Sequence, residues 1–426
     1  MPRHFPDWIE AYMSLVRGKT EAPEVYSWWS AVATIAAALT RSVWIDEVRY
    51  RFYPNFLIVL AARPGVAKKS TTIDECVGIL RDMDIKPSLF GPQETTWPAL
   101  CESFAKHTHR RPVGSADPAA LDTEFDVQCA MTLCLREFGT FLRPGDRDMI
   151  NGITDLWDGG DRVYIKSTKT SGVDTIQNPF LNIIGAATAQ WLRDNFREFA
   201  GWGIASRIIF VHSDADPTPI WSPSELIDST SWQNTRSRLQ DDLRDIMLLR
   251  GPFCFAADAA NRAKVWYEDV MRTASAYART EGADTWVCDF LARKQVHAHK
   301  LAMILAASRR TDLTITLADY EDAIVRVEAI ESEIRRIFAI TLVPSPAAAM
   351  EHAIFAVVKG ELCNGLAGTA SRRYIFNRIA AYVDGGTADR MLSSFVRRGV
   401  LHEEVNREGP QIILSENADE IFNHRH

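Results

Sequence analysis

Residues 56–72, FLIVLAARPGVAKKSTT, constrain this chain more than any other stretch. An apolar, β-branched run stops at Arg63, Pro64 and Gly65, and Lys68, Lys69, Ser70 and Thr71 then lead into the helix-like TTIDECVGILRDM. Buried strand, tight turn, and a helix opening on lysine and hydroxyl together form the pattern of a phosphate-binding loop in an α/β fold. The order follows from the chemistry: backbone N–H groups at a turn and helix N-terminus wrap phosphate oxygens, a lysine spans the outer phosphates, and a neighbouring hydroxyl ligates Mg²⁺. The expected cradle is Gly65, Val66, Ala67, Lys68, Lys69, Ser70 and Thr71.

The pattern G-x-x-x-x-G-K-[ST] fits in two frames, and neither has both glycines. Starting at Ala62 makes Lys68 the working lysine and puts Lys69 where the hydroxyl belongs; starting at Arg63 gives Lys69 followed by Ser70, with Lys68 in the second glycine's place. The second frame is preferred because a Mg²⁺ ligand is hard to replace. The competing reading is a basic turn after a buried strand.

Length and composition set the frame. A chain of 426 residues that is 46% apolar can build two to three domains. The expected divisions are an N-terminal helical segment (1–50), an ATPase core (51–220), an α-helical lid (221–343) and a C-terminal domain (347–426) after the hinge-like Pro344, Ser345 and Pro346. A net charge of −7 means that contact with nucleic acid must come from local basic surfaces. Seven cysteines without a CxxC pair or zinc spacing read as reduced thiols, and with no signal-peptide pattern and no membrane-length apolar run the expectation is a cytoplasmic protein.

A second apolar run, 130–135, ends in Arg136 and Glu137. In phosphate-loop ATPases a strand beside the loop ends in a carboxylate that polarises the attacking water, often after an Asp that helps to hold Mg²⁺. Glu137 fits the first role and Arg136 stands in the Asp position; the alternative for Glu137 is a solvated strand-end carboxylate. Two further strands are expected at 180–188 and 206–214. The first delivers Thr188 as a γ-phosphate sensor, and the second delivers Arg207 as a finger to a neighbouring subunit's nucleotide or as a structural ion-pair partner. Between them in function lies an alternating, lysine-bearing segment around 162–176, with Lys166 and Lys169 able to touch a DNA backbone or only to protect a hairpin edge. Residues 110–126 read as a turn-rich surface insertion, and Arg293, His297 and Lys300 on a later helix can face nucleotide or DNA.

The last part reads as a winged helix, with helices at 347–360, 371–383 and 387–399 followed by two strands around Gly409 and Pro410. Residues 371–400 hold six arginines against two aspartates on an acidic protein. Arg390, Arg397 and Arg398 on the expected recognition helix, with Arg372 and Arg373 on the one before, can contact DNA; winged helices also dock proteins.

Taken together, YPNFLIVLAARPGVAKKST, LREFGTFL, NPFLNIIGAAT, GWGIASRIIFV and HAHKLAMILAAS give residues 5–341 a pattern that resembles phage and mobile-element proteins of the primase-helicase type. The resemblance implies a P-loop ATPase core of the ASCE type (AAA+ or RecA-like), ATP and Mg²⁺ as ligands, a homo-oligomeric ring such as a hexamer, and action on single-stranded or forked DNA. It also implies that priming lies on a separate primase or polymerase chain. The departures are Arg63 in the first glycine's place and Arg136 before the glutamate. The leading expectation is an ATP-dependent DNA motor. The alternative is a weakly hydrolysing nucleotide-binding scaffold that binds DNA or recruits replication proteins.

Overall fold

The computed structural model describes residues 3–62, 68–83, 89–112, 125–168, 172–213, 219–279, 285–339, 346–364, 369–380, 383, 385–406, 409–415 and 417–418. Two helices come first, α1 (Trp8–Val16) and α2 (Glu24–Leu39). α1 begins where Asp7 accepts from the N–H groups of Ile9 and Glu10, which satisfies donors that a helix start leaves free. α2 is buried along nearly its whole length, and Ala31, Ala33, Ala36, Ala37 and Ala38 let it lie close against the sheet. The Asn182 amide reaches across to donate to the Ala33 carbonyl at 3.1 Å. A short antiparallel ribbon follows, β1 (Val43–Asp46) with β2 (Arg51–Phe52).

The central strand β3 (Leu57–Ala62) is buried at every residue. It is followed by α3 (Lys69–Arg81), α4 (Trp97–Lys106), β4 (Thr108–Pro112), β5 (Phe125–Leu135), α5 (Phe138–Phe141), α6 (Arg147–Asp158), the hairpin β6 (Val163–Thr168) with β7 (Gly172–Gln177), β8 (Pro179–Thr188), α7 (Ala189–Gly201) and β9 (Ile208–His212). The sheet order is β4-β5-β8-β3-β9. β3 pairs in parallel with β8 (Ala62 beside Thr188) and with β9 (Leu57 beside Ile208), β5 pairs in parallel with β8, and β4 closes one edge antiparallel to β5. A parallel sheet needs helices on its faces, which is why β3 and β8 read as continuous apolar runs rather than alternating ones. The fold is therefore mixed α/β.

The turn-rich stretch expected as an insertion is partly sheet. Thr108–Pro112 and the start of β5 pair with one another, because the antiparallel edge extends β5 upstream of its apolar run; residues 113–124 lie outside the described residues. A parallel bridge joins Phe90 to Thr132 beside the sheet.

Helices dominate the next segment: α8 (Pro223–Leu226), α9 (Ser229–Met247), α10 (Ala257–Tyr277), α11 (Thr285–Arg309) and α12 (Leu317–Ala339), with the small strands β10 (Gly251–Pro252), β11 (Cys254–Phe255) and β12 (Thr314–Ile315) between them. The chain divides into two compact units, residues 1–334 and 335–426, so the helices expected as a lid share one unit with the sheet up to residue 334. The reason is visible in α11, which buries Ala298, Leu301, Ala302, Ile304 and Leu305 in the common core.

The second unit runs α13 (Pro346–Asn364), β13 (Thr369–Ser371), α14 (Arg372–Ala380), α15 (Gly385–Arg397), β14 (Leu401–Asn406) and β15 (Gly409–Leu414). Its sheet is antiparallel in the order β13-β15-β14, and Ile354, Val358, Ile375, Leu392, Phe395 and Ile412 form its own core. Among the described residues, no helix is long and apolar enough to cross a membrane.

Candidate functional site

The chain leaves β3 toward β5 on one side and returns beside β3 on the other as β9, so the order of the sheet reverses at β3. In open α/β sheets a reversal of this kind leaves a crevice outside the carboxyl ends of the strands. Lys68, Lys69 and Ser70 at the start of α3, Arg136 and Glu137 beyond β5, and Thr188 at the end of β8 all lie at that edge. Gly65, Val66 and Ala67 lie outside the described residues.

Lys68 has φ 44° and ψ 30°, the left-handed conformation that glycine adopts without penalty. The residue in the second glycine's place thus has a glycine's backbone. Its ammonium pairs with Glu21 at 3.1 Å. Lys69 Nζ donates to the Ala62 carbonyl at 3.4 Å, back across the turn to the strand end. Burial pushes the Lys69 pKa below its ordinary value, and the Glu137 charge acts in the opposite direction. Ser70 Oγ donates to the Arg136 carbonyl at 3.4 Å, which ties the start of α3 to the end of β5. Thr71 is exposed.

Glu137 is exposed, and its carboxylate makes no hydrogen bond or ion pair among the described residues. The backbone behind it is fixed. The Thr140 hydroxyl donates to the Glu137 carbonyl at 2.9 Å, and Gly139 lies so close to Trp191 that a Cβ there would meet the indole at 2.5 Å. Thr188 Oγ1 accepts from the Trp191 N–H at 3.0 Å and caps α7, so its own proton points elsewhere. Arg136 turns from the site to Asp74 on α3 at 2.8 Å. Sequence reasoning missed Glu21 and Asp74. Asp74 was findable, because it lies four residues after Ser70 and so on the same helix face; Glu21 is distant in sequence and carried no signal.

Arg207 lies elsewhere. It stands before β9, at the amino-terminal ends of the strands, and its guanidinium forms two bonds to Asp158, at 2.9 and 2.6 Å, and one to the Gly203 carbonyl at 2.8 Å. With its side chain 9% exposed, Arg207 fills the structural ion-pair role. His297 and Lys300, expected to face a ligand, are buried instead: His297 bonds the Ser206 carbonyl at 2.9 Å, and Lys300 donates to Asn55 Oδ1 at 2.7 Å over the Trp157 ring. α11 carries Lys294, His297, His299 and Lys300 into the core on its inner side, while Asp289, Arg293 and Gln295 stay partly exposed.

Lys166 also departs from expectation. It lies on the inner side of the hairpin, 5.1 Å from the Trp97 ring, in a cleft of about 500 Å³ that also exposes Asp148, Asp155 and Asp158. Asp155 is paired there with Arg162 and Asp158 with Arg207, and the hairpin's outer face carries exposed Val163, Ile165 and Val173. Lys169 lies outside the described residues.

In the second unit, Arg372 bridges Asp389 at 3.0 Å and Glu403 at 2.8 Å, and Arg398 pairs with Glu351. These two arginines hold the unit together. Arg373, Arg390 and Arg397 are exposed; Arg390 bonds only within its own helix, to Gly386 and Thr387, and Arg397 reaches the Ser393 carbonyl.

No family model matches the chain, and no curated protein matches it.

Proposed function

We propose that the first unit is a P-loop ATPase of the ASCE type and that the chain acts as an ATP-dependent DNA motor in the replication of a phage or mobile element. The observation that carries this reading is the placement of Lys69 and Glu137: each follows the carboxyl end of a parallel strand, with β8 alone between those strands. Strands lie ~4.8 Å apart, so one intervening strand opens about 10 Å, which accommodates a γ-phosphate and a water molecule. The Glu137 charge acting on Lys69 supports the same proximity.

In this mechanism Lys69 exchanges the Ala62 carbonyl for the outer phosphates, and the α3 N-terminus adds its N–H groups. Glu137, whose carboxylate makes no hydrogen bond or ion pair among the described residues, orients the attacking water as a base, and Thr188 at the end of β8 donates its hydroxyl proton to the γ-phosphate. Ser70 is a hard oxygen donor held by one long bond, which suits Mg²⁺. Such an ion takes few protein ligands and completes its shell with phosphates and water; bound there, it would neutralise charge on the transferring group.

The second unit has the order helix, strand, helix, helix, strand, strand, which supports a winged helix with α15 as the recognition helix and with Arg373 on α14 and Arg390 and Arg397 on α15 as its exposed cations. A ring of identical subunits on single-stranded or forked DNA remains part of the proposal, with a separate primase or polymerase chain as partner. Arg136, committed to Asp74 where a Mg²⁺-binding Asp is common, favours a second reading, a slowly hydrolysing scaffold that binds DNA or recruits replication proteins. Turnover with and without single-stranded DNA separates the two. A motor gives DNA-stimulated hydrolysis that Glu137→Gln abolishes while nucleotide binding persists. A scaffold binds nucleotide with negligible turnover in either protein.

A further inference from the structure

Trp221 is 94% exposed, whereas each of the other tryptophans is buried or partly buried. A bare indole is the largest flat apolar surface a side chain can leave in water, and its burial by a ligand is correspondingly favourable. Its position is fixed by its neighbour. The Ile220 N–H donates to Glu21 Oε1 at 3.0 Å, and the other oxygen of the same carboxylate holds Lys68 Nζ at 3.1 Å. These two bonds keep the Glu21 carboxyl below its ordinary pKa, the Ile220 N–H having the larger effect.

One carboxylate thus ties the segment carrying Trp221 to the residue next to Lys69. The Tyr26 hydroxyl donates to the Ala61 carbonyl at 2.6 Å and accepts from the Ser213 N–H at 3.1 Å, joining the end of β3 to the chain just after β9. The residue beside Trp221 is thus one carboxylate away from Lys68, which precedes Lys69.

We propose that Trp221 is the platform on which the base of the bound nucleotide stacks, and that its flat indole favours purines. The inference rests on the phosphate-loop reading of Lys69. A nucleoside triphosphate held by its phosphates at Lys69 extends its base away from the strand ends, and a six-membered ring fused to a five-membered one covers more of an indole than a pyrimidine does. Glu21 acts as a positioning residue that holds the platform relative to the loop.

The test is calorimetric titration of the full chain with Mg²⁺ and four nucleoside triphosphates, and separately with inorganic tripolyphosphate, for wild type, Trp221→Ala and Trp221→Phe. Stacking of a base on an aromatic side chain is worth about 1–3 kcal/mol, so Trp221→Ala is expected to bind ATP about tenfold more weakly. Tripolyphosphate, which has no base, binds Trp221→Ala and wild type alike, and Trp221→Phe recovers most of the ATP affinity. Wild type prefers ATP and GTP to CTP and UTP, and the alanine variant loses that margin. If Trp221→Ala binds ATP within twofold of wild type while both bind tripolyphosphate, the base lies elsewhere and the phosphate loop stands. If wild type binds neither ATP nor tripolyphosphate, the phosphate-loop reading fails and this inference fails with it.

Discussion

Lys69 turns its ammonium back onto the Ala62 carbonyl, 3.4 Å away, so the first residue of α3 closes the end of the strand before it. The bond is long and therefore weak. Among the described residues an incoming phosphate has this one hydrogen bond of Lys69 to displace, and it meets a lysine already partly withdrawn from water.

The left-handed backbone of Lys68 carries a cost that glycine would not. Lys68→Gly relieves about 1 kcal/mol of that strain and forfeits a partly exposed ion pair to Glu21 worth about 0–1 kcal/mol. Thermal unfolding is expected to be unchanged or slightly raised. A clear loss of stability would mean that the Glu21 pair, not the backbone, governs this position.

Arg207 is read as a structural cation. Asp158→Asn weakens its two-bonded partner, and with Asp158 48% exposed the expected cost is about 1–2 kcal/mol. Arg207→Ala lowers the melting temperature of nucleotide-free protein as well. An Arg207→Ala variant that melts like wild type but loses hydrolysis in the oligomer would restore the finger role.

Two sets of arginines in the second unit should separate. Arg372→Ala removes contacts to Asp389 and Glu403 and lowers stability by about 1 kcal/mol. Replacing Arg373, Arg390 and Arg397 together leaves stability unchanged and weakens DNA binding, with the slope of log affinity against log salt falling by about 2 to 3. Equal DNA binding before and after the triple change would reassign the unit to protein docking.

Acid should weaken the first unit before its surface carboxylates titrate. Burial pushes His297 and His299 down to about 4, so both stay neutral in the fold while the unfolded chain takes up protons below about 6.5. The unfolded state then binds more protons, and stability falls as pH drops from about 6.5 toward 4, by up to about 3 kcal/mol for each residue, levelling off below. Denaturant unfolding across that range measures the fall; a flat profile would contradict the burial of both rings.

Much of this was legible in the residues. The apolar run at 57–62 and the run at 180–187, broken only by Asn182, read as buried strands, and the lysines with the hydroxyl at 68–70 marked the helix start that follows the first. His297 and Lys300 on α11 were misjudged because their partners, the Ser206 carbonyl and Asn55, lie far away in sequence and leave no local sign of burial. Lys166 lies on a hairpin as expected, but alternation along a hairpin gives two faces and does not say which one meets the aspartates of α6. The sequence left Arg207 open between finger and ion-pair partner because Asp158 is 49 residues away, and ion pairs of that separation leave no local pattern.

The most direct measurement is the affinity of the full chain for ATP with Mg²⁺, by calorimetry, in wild type and Lys69→Ala. The account predicts binding in wild type and loss of most of that affinity in the variant, with the melting temperature unaltered in the absence of nucleotide. Equal affinity in the two proteins, or no binding in wild type, would contradict it.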